Sequence, residues 1–374
     1  RPSVTNALAV IQSYSPWRPS AGVTESGLTI KDLENSDLTY EKKHELNIGA
    51  DLGFLDNRIN LTVDWYKRDN FDLIGLVMTQ GIGGQIQKYG NVATMKSRGI
   101  EFSLSTKNIK TKDFSWTTDF IYSHMKNEVT KFNTSTRAFN LVSGIGFSRE
   151  GYPVNSLFSY DFRGLNEDGV PTFINEAGVL TSTDINFQET ERFDNLVYSG
   201  PSEPTDVGSF GNIFQYKGLR LNVFITYSFG NVVRLDPVFS SIYNDLDAMP
   251  REFRNRWMTP GDERYTDVPA IVSSRQVRND SKLSYAYNAY NYSTARIAKG
   301  DFIRMKEISL TYDFPKRWIK KLRMSNLALK IQATNLFLIY ADKKLNGQDP
   351  EFFNSGGVAT PVPKQFTLTL KIGL

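Results

Sequence analysis

The chain has 374 residues, of which 40 % are hydrophobic and 22 % charged, and this composition excludes a disordered protein. It has no cysteine and only two histidines, His44 and His124, which excludes disulfides and thiolate chemistry and leaves too few imidazoles for a multi-histidine metal site. The net charge of +4 is spread without a Lys/Arg block, so nucleic-acid binding is not indicated, and no apolar run reaches the roughly 18 residues that a membrane-spanning helix needs.

Nine segments alternate apolar and polar residues with a period of two, which predicts β-strands with one apolar face. The last segment is the clearest, since every second residue from Phe366 to Leu374 is apolar. Aromatic residues make up 13 % of the chain, which also suits a β protein. The sequence therefore predicts an all-β fold. In chain order the segments are 46–52, 59–65, 100–104, 114–122, 210–216, 219–229, 308–314, 327–333 and 366–374.

The connections between these segments alternate in length. The short ones are 53–58, 107–113, 217–218 and 315–324, and the long ones are 71–94, 126–205, 231–300 and 340–364. Outer-membrane barrels have this rhythm, with tight turns on the periplasmic side and long loops outside the cell, whereas a soluble sandwich has no reason to sort its loops. The predicted fold class is therefore a transmembrane antiparallel β-barrel with long extracellular loops.

Charged residues lie opposite the apolar positions of the segments. In a barrel these side chains point into a wet lumen, and the alternative is the solvated outer face of a soluble sandwich. The barrel interpretation is preferred because aromatic residues also cluster near the segment ends, where interfacial girdles lie. The charged residues are Asp51, Asp64, Glu101, Asp119, Arg220, Glu307, Lys330 and Lys371.

Two of the long connections carry further patterns. Within 126–205, a strand-like run at 157–165 precedes a turn at 166–169 and apolar residues at 170–174, which predicts an added hairpin that would raise the strand count to eleven. Within 231–300, apolar side chains recur at helical spacing and predict a short helix near Pro250. These side chains are Leu246, Met249, Phe253 and Trp257.

The parity of the strands bears on domain organisation. If the last strand ends in the periplasm, nine strands place the residues before Leu46 outside the cell, whereas a complete bacterial barrel has an even number of strands and begins in the periplasm. Either one strand lies in the first 40 residues, around 6–13, or the first part of the barrel is not in this chain. We prefer the second interpretation, because the chain begins at Arg1 without a signal peptide.

Ten short motifs, taken in order, resemble the C-terminal barrel portion of the SusC/RagA family of TonB-dependent transporters, the glycan and peptide importers of the Bacteroidetes outer membrane. The first is similar to the family's Asn-Pro-x-Leu-x-x-Glu segment, with Ser36 in place of the proline. Each motif is short, so the resemblance depends on their order and spacing across most of the chain. The motifs lie at 35–42, 47–49, 53–58, 64–66, 90–92, 97–101, 300–315, 335–337, 349–351 and 361–364.

The resemblance implies a 22-stranded outer-membrane barrel, closed by a plug, energised through TonB and covered by a SusD-like surface lipoprotein. Residues 1–374 would supply about 9–11 strands and their loops, and the plug domain and N-terminal strands would lie outside this chain. The implied function is active import of oligosaccharides or oligopeptides, without a cofactor or metal. Two alternatives stay open: a non-transport barrel that anchors an adhesin or belongs to a secretion assembly, and a small barrel enzyme.

Enzymatic activity is not indicated by the residues themselves. Asp349 and Glu351 lie in an Asp-Pro-Glu sequence, which is more typical of a turn than of an acid/base pair. His44 and His124 lie in strand segments, where a polar or interfacial role is expected. A polar lumen with long outer loops moves solutes, and we therefore expect a transporter.

Aromatic residues of the 231–300 connection are the candidate substrate-binding residues. Aromatic rings with neighbouring Asn side chains suit sugar rings, through stacking and hydrogen bonds to hydroxyls. The alternative, which we favour, is that these rings pack the loops or contact the lid. The candidates are Trp257, Tyr285, Tyr287, Tyr290 and Tyr292.

Overall fold

The computed structural model describes residues 9–14, 27–32, 34–81, 86–134, 136–143, 147–238, 249–319, 324–353 and 362–373. The strands are β1 (Val10–Tyr14), β2 (Gly27–Asp32), β3 (Lys42–Phe54), β4 (Ile59–Met78), β5 (Gln87–Lys110), β6 (Phe114–Phe132), β7 (Ser156–Tyr160), β8 (Phe162–Leu165), β9 (Pro171–Ile174), β10 (Leu180–Thr181), β11 (Leu196–Pro201), β12 (Asp206–Tyr216), β13 (Leu219–Phe229), β14 (Val232–Arg234), β15 (Ile297–Lys299), β16 (Phe302–Asp313), β17 (Asn326–Ala341) and β18 (Gln365–Gly373).

The helices are short. The α-helices are α1 (Ala138–Val142), α2 (Ser274–Asn279), α3 (Leu283–Asn291) and α4 (Lys316–Ile319). Short 3₁₀ helices cover Arg251–Asn255, Asp262–Arg264, Thr294–Arg296, Lys343–Leu345 and Pro350–Phe352. None of the helices in the described ranges is both long and apolar enough to cross a membrane.

Nine strands form one antiparallel sheet, in the order β18-β17-β16-β13-β12-β6-β5-β4-β3. Each strand therefore pairs with the next one of this set along the chain. Each of the nine segments predicted from the sequence coincides with or overlaps one of these strands, so the prediction is confirmed. Phe314 lies just beyond the end of β16, and Leu374 lies outside the described residues. Most of the strands extend beyond the predicted segments, up to 24 residues in β5.

The hairpin expected within 126–205 is present but lies outside the nine-stranded sheet. Strands β8, β9 and β10 form a separate three-stranded sheet, and β7 pairs with β11. All five residues of β7 are buried, so this strand has no side free to face lipid. Likewise β1, which overlaps the candidate segment 6–13, forms a two-stranded sheet with β2 among the described residues, and residues 6–8 lie outside them.

The prediction of a long loop over 71–94 is wrong. Strand β4 continues to Met78 and β5 begins at Gln87, so only 79–86 connect them. The pairing of β4 with β5 shifts register between Asn70 and Leu73 and again between Leu73 and Ile74. These irregularities interrupt the period of two, which is why the alternation stops being visible there. The other long connections are confirmed.

Large apolar side chains cover one face of the nine-stranded sheet and are exposed. On β18, Phe366 is 76 % and Leu368 70 % exposed, and on β3 Ile48 is 60 % exposed. A contiguous apolar face of this extent is unfavourable in water and is the surface that a barrel presents to lipid. Other members of this apolar face are Leu46, Leu52, Phe54, Trp65, Ile100, Phe210, Leu219, Leu310, Ile331, Leu370 and Ile372.

A single row of paired residues links Phe54 on β3 to Phe366 on β18. The row passes through Ile59, Thr106, Thr118, Asn212, Val223, Ile308 and Ala333. The row crosses eight strand spacings of about 4.8 Å and is therefore about 38 Å long. With the strands tilted by about 40°, its two ends differ in height along the barrel axis by about 25 Å, which is the height of an outer-membrane apolar band. Phe54 precedes a short turn and Phe366 follows a long loop, so the row crosses the band from one boundary to the other.

The long connections fold together into a unit that we call the loop module, formed by the described residues of 136–205, 230–301 and 342–353. Its main core joins two of the connections, because Tyr160 and Phe173 pack with Tyr290, all at 1 % exposure or less. A second core joins Val233 to Leu345 and Phe353 of the last connection. The module therefore has its own hydrophobic interior at the end of the sheet opposite the short turns.

The short helix predicted near Pro250 is present as the 3₁₀ helix Arg251–Asn255, which begins directly after the proline. Leu246 lies outside the described residues, and Trp257 lies beyond the end of the helix. The prediction of a short helix is confirmed in position.

Candidate functional site

The eight charged residues predicted to lie opposite the apolar positions share one face of the sheet, which we call the polar face. The register places Asp64 directly opposite Glu101, and Arg220 shares a row with Lys330. Among these eight residues the two charge signs are unevenly distributed. Four carboxylates, Asp51, Asp64, Glu101 and Asp119, lie on β3 to β6, whereas the three cations Arg220, Lys330 and Lys371 lie on β13, β17 and β18.

Hydrogen bonds orient several of these side chains. Thr62 donates to Asp51 at 2.6 Å, and Asn222 donates to Glu307 at 3.3 Å. Glu307 is also 3.7 Å from the ammonium of Lys330. The polar face therefore presents carboxylates on β4 to β6 and cations on β13 and β18 toward the lumen, while Lys330 is paired with Glu307.

The last connection is attached to the polar face by a buried ion pair. Arg304 of β16 donates to Asp349 at 2.5 Å, and its Nε lies 3.2 Å from a carboxylate oxygen of Glu351. Asp349 also accepts the backbone N–H of Glu351 at 3.1 Å, at the start of the 3₁₀ helix Pro350–Phe352. The two carboxylates therefore act as a helix cap and as partners of an arginine, in agreement with the turn interpretation of Asp-Pro-Glu.

Two further arginines are held inside the loop module. Arg296, 3 % exposed, pairs with Glu252 and donates to the backbone oxygen of Asp236 at 2.6 Å. Arg234 donates to the backbone oxygen of Phe158 at 2.7 Å and lies over the ring of Tyr292, 5.7 Å from its centroid. Burial lowers the pKa of Arg234 to about 10, so its charge is held by carbonyl and ring dipoles.

Two of the candidate tyrosines lie in the interior of the loop module. Tyr287 and Tyr290 are on α3 and are each 1 % exposed, and the ring of Tyr290 is 5.5 Å from that of Phe162. Tyr285 lies on the same helix but is 48 % exposed, with its ring 6.1 Å from Phe187. Tyr287 and Tyr290 therefore pack the module, as the alternative interpretation expects, whereas Tyr285 offers a ring to an outside molecule.

Trp257 and Tyr292 are partly buried and have specific neighbours. Trp257 packs against Gly169 and donates from its indole nitrogen to Glu263 at 3.1 Å. Tyr292 lies beneath Arg234, and its ring is 5.9 Å from that of Phe139. The five candidate residues thus belong to one module, but they do not share one exposed surface.

A cleft of about 110 Å³ between the connections was missed by the sequence analysis. It lies between the connections 231–300 and 340–364, and its lining residues carry both charge signs and amide groups. These residues are far apart in sequence, so no local motif predicts the cleft. Lining residues include Asp236, Arg251, Glu252, Arg296, Lys344 and Asn346.

The two histidines are far from each other in the sheet. His124 lies 2.8 Å from Asp206, and His44 contacts the ring of Phe71 with 5.2 Å between centroids. Within the described ranges, no three side chains of the metal-binding types converge. Both histidines are strand residues, as expected.

Comparison with known proteins gives a consistent result. A family model described as TonB dependent receptor-like, beta-barrel matches residues 5–336. TonB-dependent receptor SusC of Bacteroides thetaiotaomicron is 27% identical over 357 residues, which cover 91% of this chain and 32% of that protein. TonB-dependent receptor P3 of Formosa agariphila is 26% identical over 344 residues, which cover 87% of this chain and 32% of that protein.

A solved structure shares the fold. The structure of the RagAB peptide transporter superposes with a TM-score of 0.76 at 24% sequence identity, covering 99% of this chain and 39% of that chain. The chain spans about a third of the length of the curated relatives that it matches.

Proposed function

Because this chain belongs to the family of TonB-dependent receptor β-barrels of the bacterial outer membrane, we propose that it forms wall and extracellular loops of an active importer. Import would be energised through TonB, which would act on a plug domain in another part of the polypeptide. The observation that carries the proposal is the division of one sheet into an exposed apolar face and a charged polar face. A wall of this kind separates lipid from an aqueous path.

The proposed substrates are oligosaccharides or oligopeptides. The likeness to SusC and to the RagAB peptide transporter supports a large, polar substrate. The polar face adds that side chains of both charge signs are present. A solute with both charges, such as a peptide with free termini, would find a partner for each.

The proposed partner is a SusD-like surface lipoprotein that covers the extracellular end. Support comes from the loop module, which presents a folded surface with its own core at that end of the barrel. Such a surface is better suited to bind a protein lid than separate mobile loops are, because less conformational entropy is lost on binding. We also propose that residues 1–374 are the C-terminal part of the receptor, whose plug lies outside this chain.

Uptake measurements test the transport proposal. The native strain, a strain lacking the receptor and a strain lacking TonB are supplied with labelled oligopeptides and labelled oligosaccharides. We expect uptake of one class to be lost in both mutants and restored by the intact receptor gene. Unchanged uptake of both classes, with loss of surface attachment instead, would favour the adhesin-anchoring alternative.

Tyr285 is the candidate residue best placed to contact the substrate, because its ring is half exposed. Replacing Tyr285 with Ala should weaken substrate binding about two- to tenfold, the usual contribution of one aromatic contact. Tyr265, which is 89 % exposed on the same connection, is the matched control. Equal effects of Tyr285→Ala and Tyr265→Ala would place the binding surface elsewhere.

A further inference from the structure

Three cations face each other across three neighbouring strands. The register pairs Lys67 of β4 with Arg98 of β5, and Arg98 with Lys126 of β6. All three side chains are exposed. They lie on the apolar face, because each is two residues along its strand from a residue of that face, namely Trp65, Ile100 and His124. We call these residues the basic row. Like charges directly opposite one another destabilise a sheet, so this arrangement calls for an anion.

Carboxylates of the described chain neutralise only one member of the basic row. Lys67 pairs with Asp69 at 3.9 Å, and no carboxylate of the described ranges lies within 4 Å of Arg98 or Lys126. In the row above, Lys96 stands between Asp69 and Glu128 and is paired in register with both. The four cations and two carboxylates of these two rows leave an excess of positive charge.

Asp206 is the next carboxylate on this face, and it is already engaged. It accepts hydrogen bonds from Tyr122 at 2.6 Å and from Thr205 at 2.6 Å, and it lies 2.8 Å from His124. Its oxygens are therefore not available to the basic row.

The basic row lies at the upper boundary of the apolar band. Heights along the barrel axis are counted from Phe54, at the lower boundary. Moving from one strand to the next along a row of paired residues adds about 3 Å, and moving one residue up a strand adds about 2.6 Å. The upper boundary then crosses β4, β5 and β6 at about residues 67, 99 and 124. Lys67, Arg98 and Lys126 therefore lie where lipid chains end and headgroups begin.

A cavity accompanies the basic row. Its volume is about 380 Å³, and Trp65, two residues before Lys67 on β4, lines it. Its other lining residues are Lys67, Lys96, Ser97, Arg98, Lys126, Asn127 and Glu128. A guanidinium flanked by two ammonium groups is a strong receptor for a phosphate, and an aromatic ring at this depth contacts the adjoining acyl or sugar portion.

We propose that the basic row binds the phosphate-bearing headgroup of a lipid in the outer leaflet. Arg98 donates two hydrogen bonds to the phosphate, Lys67 and Lys126 flank it, and Trp65 packs against the lipid below it. Occupation by this headgroup relieves the repulsion among the three cations. The site lies on the outside of the barrel wall, so it is separate from the path of an imported solute.

A double substitution tests the site. Arg98→Gln with Lys126→Gln removes two charges at the upper boundary, and the matched control, Lys110→Gln with Lys112→Gln, removes two charges at the opposite end of the same β5–β6 hairpin. The complete receptor is purified in each form and placed in phosphatidylcholine nanodiscs that contain phosphorylated lipid A, dephosphorylated lipid A or neither. Bound lipid is quantified by mass spectrometry, and thermal unfolding is recorded in parallel.

We expect the double substitution at the upper boundary to weaken binding of phosphorylated lipid A about thirtyfold and the control to leave it unchanged. Dephosphorylated lipid should bind the unaltered receptor as weakly as phosphorylated lipid binds the variant. Without phosphorylated lipid, the variant should be at least as heat-stable as the unaltered receptor, because repulsion has been removed. A folded variant that retains full lipid binding would overturn the proposal, as would displacement of the lipid by millimolar inorganic phosphate, which would indicate a site for the free anion.

Discussion

Arg304 donates a 2.5 Å hydrogen bond to Asp349 although both side chains are only 3% exposed. The arginine belongs to a wall strand and the aspartate to the last extracellular connection, so this pair fixes the loop module to the barrel. A buried pair adds little net stability, but removing one partner leaves an uncompensated charge in the interior. The contact is therefore a point at which the junction can be tested.

Replacing Asp349 with Asn should destabilise the last connection by about 3 kcal/mol, because the buried Arg304 loses its buried negative partner and keeps an ionic contact only with the partly exposed Glu351. Hydrogen exchange of residues 342–349 in the intact receptor measures the local opening free energy. The control is Glu351→Gln, whose side chain is 35% exposed, and it should change the opening free energy by less than about 1 kcal/mol. Equal effects would show that burial of the pair is unimportant.

Adjacent residues of β13 test the assignment of the two faces. Val223 lies on the apolar face near the middle of the band, so Val223→Arg should lower the unfolding free energy by about 2–4 kcal/mol. Asn222→Arg places the same side chain on the polar face, next to Glu307, and should have little effect. Urea unfolding of the receptor in lipid vesicles gives both values. A similar loss at both positions would contradict a lipid-facing surface on one side only.

Alkaline pH should open the loop module. Burial raises the pKa of Tyr290 to about 12 and also raises the pKa of Tyr160. Between about pH 10 and 12 the unfolded module loses these protons while the folded module keeps them, so stability falls as pH rises, by on the order of 2 kcal/mol for Tyr290. Below pH 10 these two groups contribute no pH dependence.

Ultraviolet absorbance of tyrosinate provides the measurement. Tyr290→Phe should remove one tyrosine from a late phase that accompanies opening of the module. Tyr265→Phe removes a ring that is 89 % exposed, and this control should leave the late phase unchanged. Loss of an early tyrosine in the Tyr290 variant would show that this ring is accessible to water.

Two turns of similar sequence allow the cost of backbone strain in a glycine substitution to be distinguished from the cost of a steric clash. Gly169 and Gly178 end the sequences Asn-Glu-Asp-Gly and Asn-Glu-Ala-Gly, with φ of +72° and +76°. A Cβ at Gly169 would lie 2.5 Å from the ring of Trp257, whereas nothing lies within 4 Å of one at Gly178. Either change to Ala should cost about 1 kcal/mol for the left-handed backbone, and Gly169→Ala should cost a further 1–3 kcal/mol.

Limited proteolysis of the loop module in the intact receptor can compare the two glycine variants. Faster cleavage is expected for Gly169→Ala than for Gly178→Ala. The same rate for both would mean that Trp257 moves aside without loss of packing.

The strands of the wall were predictable because one face of each meets lipid and the other meets water. The alternation is weak in β12, where Gly208 and Gly211 interrupt it. A side chain at Gly208 would collide with the ring of Tyr227 on the next strand, so glycine is required here by a contact between strands. A period of two within one strand does not predict such contacts.

The loop module was the part that sequence reasoning described least well. In the segment 285–292 the density of tyrosines obscures the helical spacing of the buried residues. Ala286 and Ala289 are buried with Tyr287 and Tyr290, which is one face of a helix rather than a row of exposed rings. The buried partners come from distant connections, such as Phe162 and Phe173, so only the folded chain identifies them.

The unequal lengths of the wall strands have a mechanical consequence. Strand β5, with 24 residues, rises about 60 Å along the barrel axis, whereas β18, with nine, rises about 23 Å. On the side of β4 to β6, hydrogen-bonded sheet therefore continues far beyond the membrane surface. A continuous sheet opens locally only at a high free-energy cost, so the rim is rigid above β4 to β6. Movements that open the mouth of the barrel are therefore not expected on this side.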